Sequence, residues 1–470
     1  MSLRPALAGG ALRGDRRQSA VVAAALAVAT LAGPLLAAKP VAGVGLIAAL
    51  VFVPLAFVNP ALALSGWVTL VFLSGIPGTR GAGSNYALLV VVIAWIGALA
   101  GGRTTAPAYL RAHPVQAACV VGLVLWAAVT LLWAPDPGFA SGMMLNLTIC
   151  AVVFAMVATL PNRAEHIRWL AMGFVAGTTL SVLAGAAMGG LEPTDTFDAS
   201  VAETGRLAGA GHDANYLAAA IVPAIVLAAG LAVQRGRPLL RLALAGAVMV
   251  LGVGLGATES RGGFLAAVVV CLGAIAVMRG QRLQVAAFVT VLALAVGAWF
   301  VVSPGSWQRV SSVSDGGSGR TDIWHVATEV GKDHPVFGVG LQQFPVVSPK
   351  YLALPGAVAR GDLLVSQRIL VHNLYLQAWV DTGLVGLLLY LTIAAASLRA
   401  GWVAARRFER AGDRDMTALA RTAVLALVGA MTAAIFLSNI DDRRTWVLLG
   451  LGPALLTLSS AITTRSRSIS

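Results

Sequence analysis

The sequence predicts an all-α, polytopic integral membrane protein with about 14 transmembrane helices, within a range of 12 to 14. Of its 470 residues, 58% are hydrophobic and only 11% are charged, and the mean hydropathy is +0.83. Soluble domains carry about a quarter charged residues, so this composition excludes a soluble fold. Apolar runs recur along the whole chain and leave no stretch between them for a second domain with its own core.

The apolar segments are the predicted spans. They lie near 19–38, 41–58, 61–76, 85–101, 114–134, 142–160, 167–190, 215–233, 239–257, 263–278, 282–302, 373–397, 417–438 and 442–462. The first is interpreted as a signal anchor, because it is long for a cleaved signal peptide and a second segment follows within three residues. The third and tenth are short and contain glycine, so the count falls to 12 or 13 if either is re-entrant.

The distribution of basic residues predicts the orientation. If the N-terminus lies inside, the N-terminal segment and the cytoplasmic loops hold 20 arginines, whereas the short loops on the other side hold six basic residues. The positive-inside bias therefore places both termini in the cytoplasm and residues 303–371 outside, as one long extracytoplasmic loop containing short amphipathic helices. The chain divides into spans 1–11 (1–302), this loop (303–371) and spans 12–14 (372–470).

The net charge of +13 follows the same bias. In a soluble protein it would suggest a nucleic-acid partner, but here it predicts contact with membrane lipids and no nucleic acid. Cys119, Cys150 and Cys271 all lie inside apolar runs, so no disulfide framework or metal cluster is predicted.

The long outer loop contains the first candidate site. A flexible stretch at 311–319 precedes Arg320, and Ile323, Trp324, Ala327 and Val330 follow in helical spacing, which predicts an amphipathic interfacial helix. A glycine-rich turn before a helix presents backbone N–H groups, and Arg320 adds a planar fork of donors suited to phosphate. The alternative is that Arg320 contacts lipid headgroups.

A second constellation reads ESRGG at 259–263, where the ninth span ends outside. Glu259 and Arg261 could simply pair with each other, since ionisable residues at such a position need a partner or access to water. The two glycines also allow another backbone or a ligand to approach closely, which an ion pair does not require. Both interpretations remain open.

Two further constellations stand where outer loops return to the membrane. In 371–377 (VHNLYLQ), Asn373 is a candidate N-cap, and His372 is either an ordinary interfacial histidine or a general base at the mouth of a site. In 211–217 (GHDANYL), Asp213 or Asn215 either caps the eighth span or binds sugar hydroxyls and orients His212.

These four constellations resemble, in order and predicted side, the motifs of the O-antigen ligase and Wzy-type polymerase superfamily. The resemblance extends from about 206 to 386 and includes 335–340 (PVFGVG) and 381–386 (DTGLVG). The family's essential Arg in a Ser-Arg-Gly setting, its Arg shortly before Trp in the outer loop, and its His followed by Asn match Arg261, Arg320 and His372. The first seven spans carry no family signature, and 14 spans exceed the twelve associated with ligases, so the polymerase branch stays open.

The resemblance implies an inverting glycosyltransferase that moves a glycan from a polyprenyl diphosphate carrier to an acceptor hydroxyl outside a bacterial plasma membrane. Arg261 and Arg320 are assigned to the leaving diphosphate, in place of a metal ion. His372 is assigned to the acceptor hydroxyl, as base or orienting group. The acidic and basic pairs at 441–444 are interpreted as a self-neutralised loop, so no metal and no cofactor are predicted.

The residues predicted to bind substrate are Arg261, Arg320, Asp213, Asn215, Asn373 and Trp324. The expected partners are the lipid-linked glycan donor, a glycan or lipid acceptor and membrane lipids, with a chain-length regulator or a flippase as the candidate protein partner. Two other classes compete with an enzyme, namely a flippase for lipid-linked glycans and a non-catalytic export subunit. A transporter places its ionisable residues near the midplane between repeated halves, whereas here they lie at span ends.

Overall fold

A computed structural model describes residues 40–75, 81–188, 206–211, 213–234, 238–278, 282–305, 320–353 and 369–467. Within these ranges all regular structure is helical and there is no strand, which confirms the all-α fold class. The predicted first span at 19–38, the flexible stretch at 311–319 and His212 lie outside the described residues.

The α-helices are labelled in chain order. They are α1 (Pro40–Val58), α2 (Pro60–Val71), α3 (Ala82–Ala100), α4 (Ala106–Ala112), α5 (Pro114–Thr130), α6 (Pro137–Thr159), α7 (Ala164–Ala187), α8 (Ala214–Ala232), α9 (Pro238–Thr258), α10 (Arg261–Val277), α11 (Arg282–Val302), α12 (Arg320–Asp333), α13 (Phe344–Leu352), α14 (Leu374–Arg410), α15 (Arg414–Ala433) and α16 (Arg443–Arg467).

In the described part of the chain, eight helices are long and apolar enough to cross a membrane. They lie within α3, α6, α7, α8, α9, α11, α14 and α15, the last extended by a 3₁₀ turn to Phe436. A ninth span results if α4 and α5, bent by 98° at a short break, are counted together. The chain is therefore a membrane protein with several spans, as predicted, whereas the number 14 remains a prediction. The two segments that the sequence marks as short correspond to α2 and α10, which are among the shorter apolar helices.

Several helix starts follow from the local sequence. Asn59 and Asp136 each precede a proline at the first helical position, and each accepts a 3.1 Å hydrogen bond from the backbone N–H three residues later. Proline fits this position because its missing N–H would have no partner inside the helix. The side-chain oxygen satisfies one of the N–H groups that the first turn leaves unpaired.

The outer segment packs on the helix bundle through α12. Its apolar side chains, including Ile323, Ala327 and Val330, are buried in a cluster with Val371 and Val380. An amphipathic helix is present where the sequence predicts an interfacial one, but its apolar face packs against other residues of this protein. Burial of that face fixes the position of Arg320, the first residue of α12.

A kink in α14 joins the same segment to the membrane helices. Gly383 has φ +68° and ψ −175°, which interrupts the helix, and a Cβ there would collide with the Val336 carbonyl oxygen. The interruption frees carbonyls of α14, and those of Val380 and Asp381 accept 2.9 Å hydrogen bonds from the N–H groups of Val339 and Gly340. The turn at 335–340 is thereby fixed against α14.

Candidate functional site

The N-terminus of α8 carries two of the predicted residues. Asp213 caps the helix, because its Oδ1 accepts hydrogen bonds from the backbone N–H groups of Asn215 and Tyr216 at 2.7 and 3.1 Å. Asn215 Oδ1 accepts hydrogen bonds from Arg206 Nη2 at 3.0 Å and from Ser260 Oγ at 2.9 Å. The predicted cap is confirmed for Asp213, and Asn215 connects two of the predicted constellations.

Arg206 belongs to this group of contacts, although the sequence indicates it only as a basic residue of an outer loop. Its Nε donates to the Thr258 carbonyl oxygen at 2.7 Å, and the N–H of Leu207 donates to Ala257 O at 2.9 Å. The segment before α8 is therefore attached to the end of α9, directly beside the ESRGG motif.

The ESRGG motif forms the turn from α9 into α10. Ser260 is the N-cap, accepting from the Gly263 N–H at 3.3 Å, and Arg261 is the first, solvent-exposed residue of α10. Glu259 has φ +51°, a left-handed conformation that residues other than glycine rarely adopt. A Cβ on Gly262 would lie 2.8 Å from Phe436 Cδ2. The close approach at Gly262 is thus made by a side chain of this protein, and the approach of another backbone or a ligand stays a prediction.

Trp324 positions the helix that begins with Arg320. Its Nε1 donates a 3.0 Å hydrogen bond to the carbonyl oxygen of Val371, the residue before His372. The Trp324 ring also packs against Phe436, with the ring centroids 6.1 Å apart. Because residues four apart lie on one face of a helix, Arg320 and Trp324 share the face that points toward this contact.

The third constellation begins α14. Asn373 is its N-cap, accepting from the N–H groups of Tyr375 and Leu376 at 3.0 and 3.1 Å, which confirms the predicted cap. His372 has φ +52° and is partly buried. Its own N–H donates a 2.9 Å hydrogen bond to Ser438 Oγ.

The residues 436–438, which follow α15, bring these elements together. Phe436 contacts Gly262 and Trp324, whereas Ser438 receives the N–H of His372 through Oγ and the hydroxyl hydrogen bond of Tyr216 through its carbonyl oxygen. The 436–438 segment was missed by the sequence analysis. Its only sequence signal is that a predicted span ends there in the polar pair Ser438 and Asn439.

The loop after this segment contains paired charges. Arg444 Nε donates to Asp442 Oδ1 at 2.8 Å, and the Arg444 guanidinium lies 5.8 Å from the Tyr216 ring centroid. Arg443 hydrogen-bonds Asn146, whose Nδ2 donates to Asp441 Oδ2 at 3.3 Å. Burial, reinforced by the neighbouring Asp442 charge, raises the pKa of Asp441 to about 6. The Asp442–Arg444 ion pair agrees with the predicted self-neutralised loop, while Asp441 and Arg443 are bridged through an amide.

Four helices contact the 436–438 segment near their N-terminal ends. The contacting residues lie in the first turns of α8 and α10, at the fifth residue of α12 and two residues before α14. Side-chain caps accept first-turn N–H groups of α8, α10 and α14, but the partial positive charge of the helix N-termini still favours an anion. Arg261 and Arg320 stand at two of these N-termini. Within the described ranges no three His, Cys, Asp or Glu side chains are placed to hold a metal ion, and the metal-free mechanism stays a prediction.

Comparison with known proteins identifies part of the chain. Residues 246–391 match a family model described as O-antigen ligase. This range contains Arg261, Arg320 and His372 and leaves out the N-terminus of α8 and the 436–438 segment. No curated protein matches the chain.

Proposed function

We propose that the chain, whose residues 246–391 match a family model described as O-antigen ligase, is a membrane glycosyltransferase of that superfamily. It transfers or polymerises a glycan from a polyprenyl diphosphate carrier onto an acceptor hydroxyl on the extracytoplasmic face. The observation that carries the proposal is that four helices contact the 436–438 segment near their N-terminal ends. Arg261 and Arg320 begin two of these helices, and His372 precedes another.

The leaving group explains the need for this arrangement. As the glycosidic bond breaks, negative charge develops on the lipid diphosphate, and donors that are already in place stabilise it without reorganisation. We assign this role to Arg261 and Arg320, whose guanidinium groups can each hold two phosphate oxygens. The helix N-termini add a positive electrostatic potential, which also favours the negatively charged diphosphate. With these donors no divalent cation is required.

His372 is assigned to the acceptor. A base for a sugar hydroxyl must stand at the water-facing side of the site, and histidine titrates near neutral pH. The acceptor oxygen attacks the anomeric carbon on the face opposite to the diphosphate, which inverts its configuration. The proton leaves the hydroxyl toward His372, and the negative charge leaves with the diphosphate.

The other predicted residues take more limited roles. The carboxylate of Asp213 and the amide oxygen of Asn373 serve as helix caps, and the indole N–H of Trp324 binds Val371. We therefore propose that Asp213 and Asn373 act mainly by shaping the site. The groups left for contact with a sugar are the Asn215 amide nitrogen and the Trp324 ring.

The proposed location is a bacterial plasma membrane, with both termini in the cytoplasm and the site facing outward. The donor reaches the site from the outer leaflet, and the acceptor is a glycan or a lipid-linked saccharide. Either a flippase or a chain-length regulator would act beside this protein. The orientation depends on the arginine distribution of the sequence.

A Wzy-type polymerase is the alternative within the same family, and a flippase or a non-catalytic export subunit is the alternative outside it. Arg261 begins α10, Arg320 begins α12 and His372 precedes α14, so these groups stand at helix ends. A transporter would gather such residues in the middle of its spans. Their position supports an enzyme.

The deciding experiment supplies the purified protein with a polyprenyl diphosphate-linked oligosaccharide and candidate acceptors. Release of polyprenyl diphosphate together with a lengthened acceptor supports a transferase. A ladder of repeats on the carrier indicates a polymerase, whereas a single transfer to another acceptor indicates a ligase. Transfer should continue in excess chelator. Movement of intact donor across a vesicle membrane without bond cleavage would identify the protein as a flippase and contradict the proposed enzyme.

A further inference from the structure

A second basic site lies at the other end of α14. A cavity of about 350 Å³ between α14 and α15 is lined by Trp402, Ala405, Arg406, Glu409, Arg410 and Arg421. These residues belong to neither the predicted motifs nor the 436–438 segment. Since His372 directly precedes α14 and Arg410 ends it, the cavity and the candidate active site stand at opposite ends of one helix.

The cavity carries unbalanced positive charge. Its one carboxylate, Glu409, binds Arg421 at 2.7 Å. Arg406 stacks on the Trp402 ring, 5.3 Å from the centroid, which holds its guanidinium in a defined orientation. Among the described residues, no carboxylate pairs with Arg406 or Arg410. Two positive charges therefore remain for a ligand.

The depth of the cavity suits a lipid headgroup. From the kink at Gly383 to Trp402, α14 rises about 28 Å at 1.5 Å per residue. The hydrocarbon core of a bilayer is about 30 Å thick, so a span that enters it at the kink brings Trp402 to the opposite membrane–water boundary, where tryptophan is enriched. Arg406 and Arg410 follow one and two turns later, at the level of the phosphates.

We propose that this cavity binds the phosphate of an anionic lipid headgroup, on the side of the membrane opposite to the candidate active site. Guanidinium groups bind phosphate oxygens in pairs, and basic pockets between transmembrane helices are known receptors for anionic headgroups. A soluble phosphate would use the same chemistry. The acyl chains of a lipid would additionally lie along the apolar surface of α14, and this favours the lipid.

The test is a thermal-shift titration of the full-length protein in neutral detergent. The probes are short-chain phosphatidylglycerol, short-chain phosphatidylcholine and inorganic phosphate. The variants are Arg410→Gln and Arg406→Gln/Arg410→Gln, and the matched control is Arg111→Gln, an exposed arginine on α4 outside the cavity. Gel filtration checks that each variant is folded, and the single variant still tests the site if the double variant is not.

Phosphatidylglycerol should stabilise the wild type and Arg111→Gln more than phosphatidylcholine does. The apparent affinity of the protein for phosphatidylglycerol should fall about fivefold in the single variant and about 30-fold in the double variant, because each arginine near an anionic headgroup contributes about fivefold. A full response to inorganic phosphate, lost in the same variants, would support the phosphate site and identify a soluble anion as its ligand. An equal response to phosphatidylglycerol in all four proteins would overturn the proposal.

Discussion

The backbone N–H of His372 donates a 2.9 Å hydrogen bond to Oγ of Ser438, a residue 66 positions further along the chain. The carbonyl oxygen of Ser438 in turn accepts a hydrogen bond from the Tyr216 hydroxyl. One serine thus connects the start of α14 with the start of α8. The left-handed backbone of His372, at φ +52°, is held by a contact that the His-Asn motif itself does not contain.

Replacing Ser438 by alanine should misplace His372. The N–H of His372 would lose its acceptor in a partly buried position, which costs about 1 to 3 kcal/mol. We expect turnover in the glycan-transfer assay to fall at least tenfold with little change in the KM for the donor. Ser438→Thr keeps the hydroxyl and should retain most of the activity. An equal loss in both variants would mean that the size of the side chain, rather than its hydroxyl, is required.

Changing Arg320 to lysine distinguishes a phosphate-binding role of this residue from a membrane-surface role. Both side chains are cationic, but only the guanidinium holds two phosphate oxygens in one plane. Loss of such a contact in the transition state lowers turnover about 10² to 10³-fold, and a surface contact is worth under about 1 kcal/mol.

We therefore expect Arg320→Lys, Arg320→Ala and Arg261→Lys to accumulate unused donor at equal amounts of folded protein. The matched control is Lys332→Ala at the other end of α12, where the exposed lysine pairs with Glu329. It should leave transfer unchanged. Near-normal turnover in Arg320→Lys would remove Arg320 from the site.

Gly262→Ala tests whether Phe436 sets the position of α10. The added methyl would lie 2.8 Å from the Phe436 ring, and overpacking of this kind costs about 1 to 3 kcal/mol. Transfer should fall, and Phe436→Leu in the same chain should restore part of it by making room. Gly246→Ala in α9, where a Cβ meets nothing within 4 Å, is the control. Full activity in Gly262→Ala would show that α10 can shift without loss of glycan transfer.

The stability of the protein should depend on pH through Asp441. Its folded-state pKa of about 6 is above the ordinary value of 3.8, because burial disfavours the charge. The folded state binds this proton more tightly than the unfolded state. Ionisation of Asp441 therefore lowers the free energy of unfolding by up to about 3 kcal/mol above pH 6 and does not affect it below about pH 4.

Asp441→Asn should therefore raise the melting temperature at pH 8 and leave it nearly unchanged at pH 4. Asp442→Asn, which removes the partner of Arg444, is the contrasting control and should lower the melting temperature at pH 8. A stabilisation by Asp441→Asn that is equal at both pH values would exclude titration of this carboxyl as its cause.

The orientation can be tested with single cysteines in a chain whose three native cysteines are replaced. His325 in α12 and Ala411 after α14 are both exposed. His325→Cys should react with an impermeant thiol reagent in intact cells, and Ala411→Cys only after the membrane is opened. The reverse order of labelling would invert the orientation and place the candidate site in the cytoplasm.

Local features of this structure were predictable from the sequence, and contacts between distant residues were not. Asn373 and Asp213 precede apolar helices and cap them, because capping depends on residues only two or three positions apart. The 436–438 segment makes its contacts with residues 60 to more than 200 positions away. A single sequence contains no local signal for such pairs.

The interpretation of α12 shows the same limit. Its apolar spacing predicts an amphipathic helix but does not state what the apolar face covers, since lipid and protein both bury it. In the structure Val371 and Val380 cover it. The cavity at the end of α14 also needed the structure, because Arg421, which lines it and binds Glu409, comes from another helix.

The 436–438 segment has a consequence for the synthesis of the protein. When α14 has left the ribosome, Arg261, Arg320 and His372 have all been made, yet the residues against which they are arranged have not. The site becomes complete only after α15 is inserted, and a chain that ends before Phe436 would contain every motif of the family without a working arrangement of them. For the same reason, residues 246–391 expressed alone would lack both partners, Tyr216 and Ser438, that anchor this arrangement.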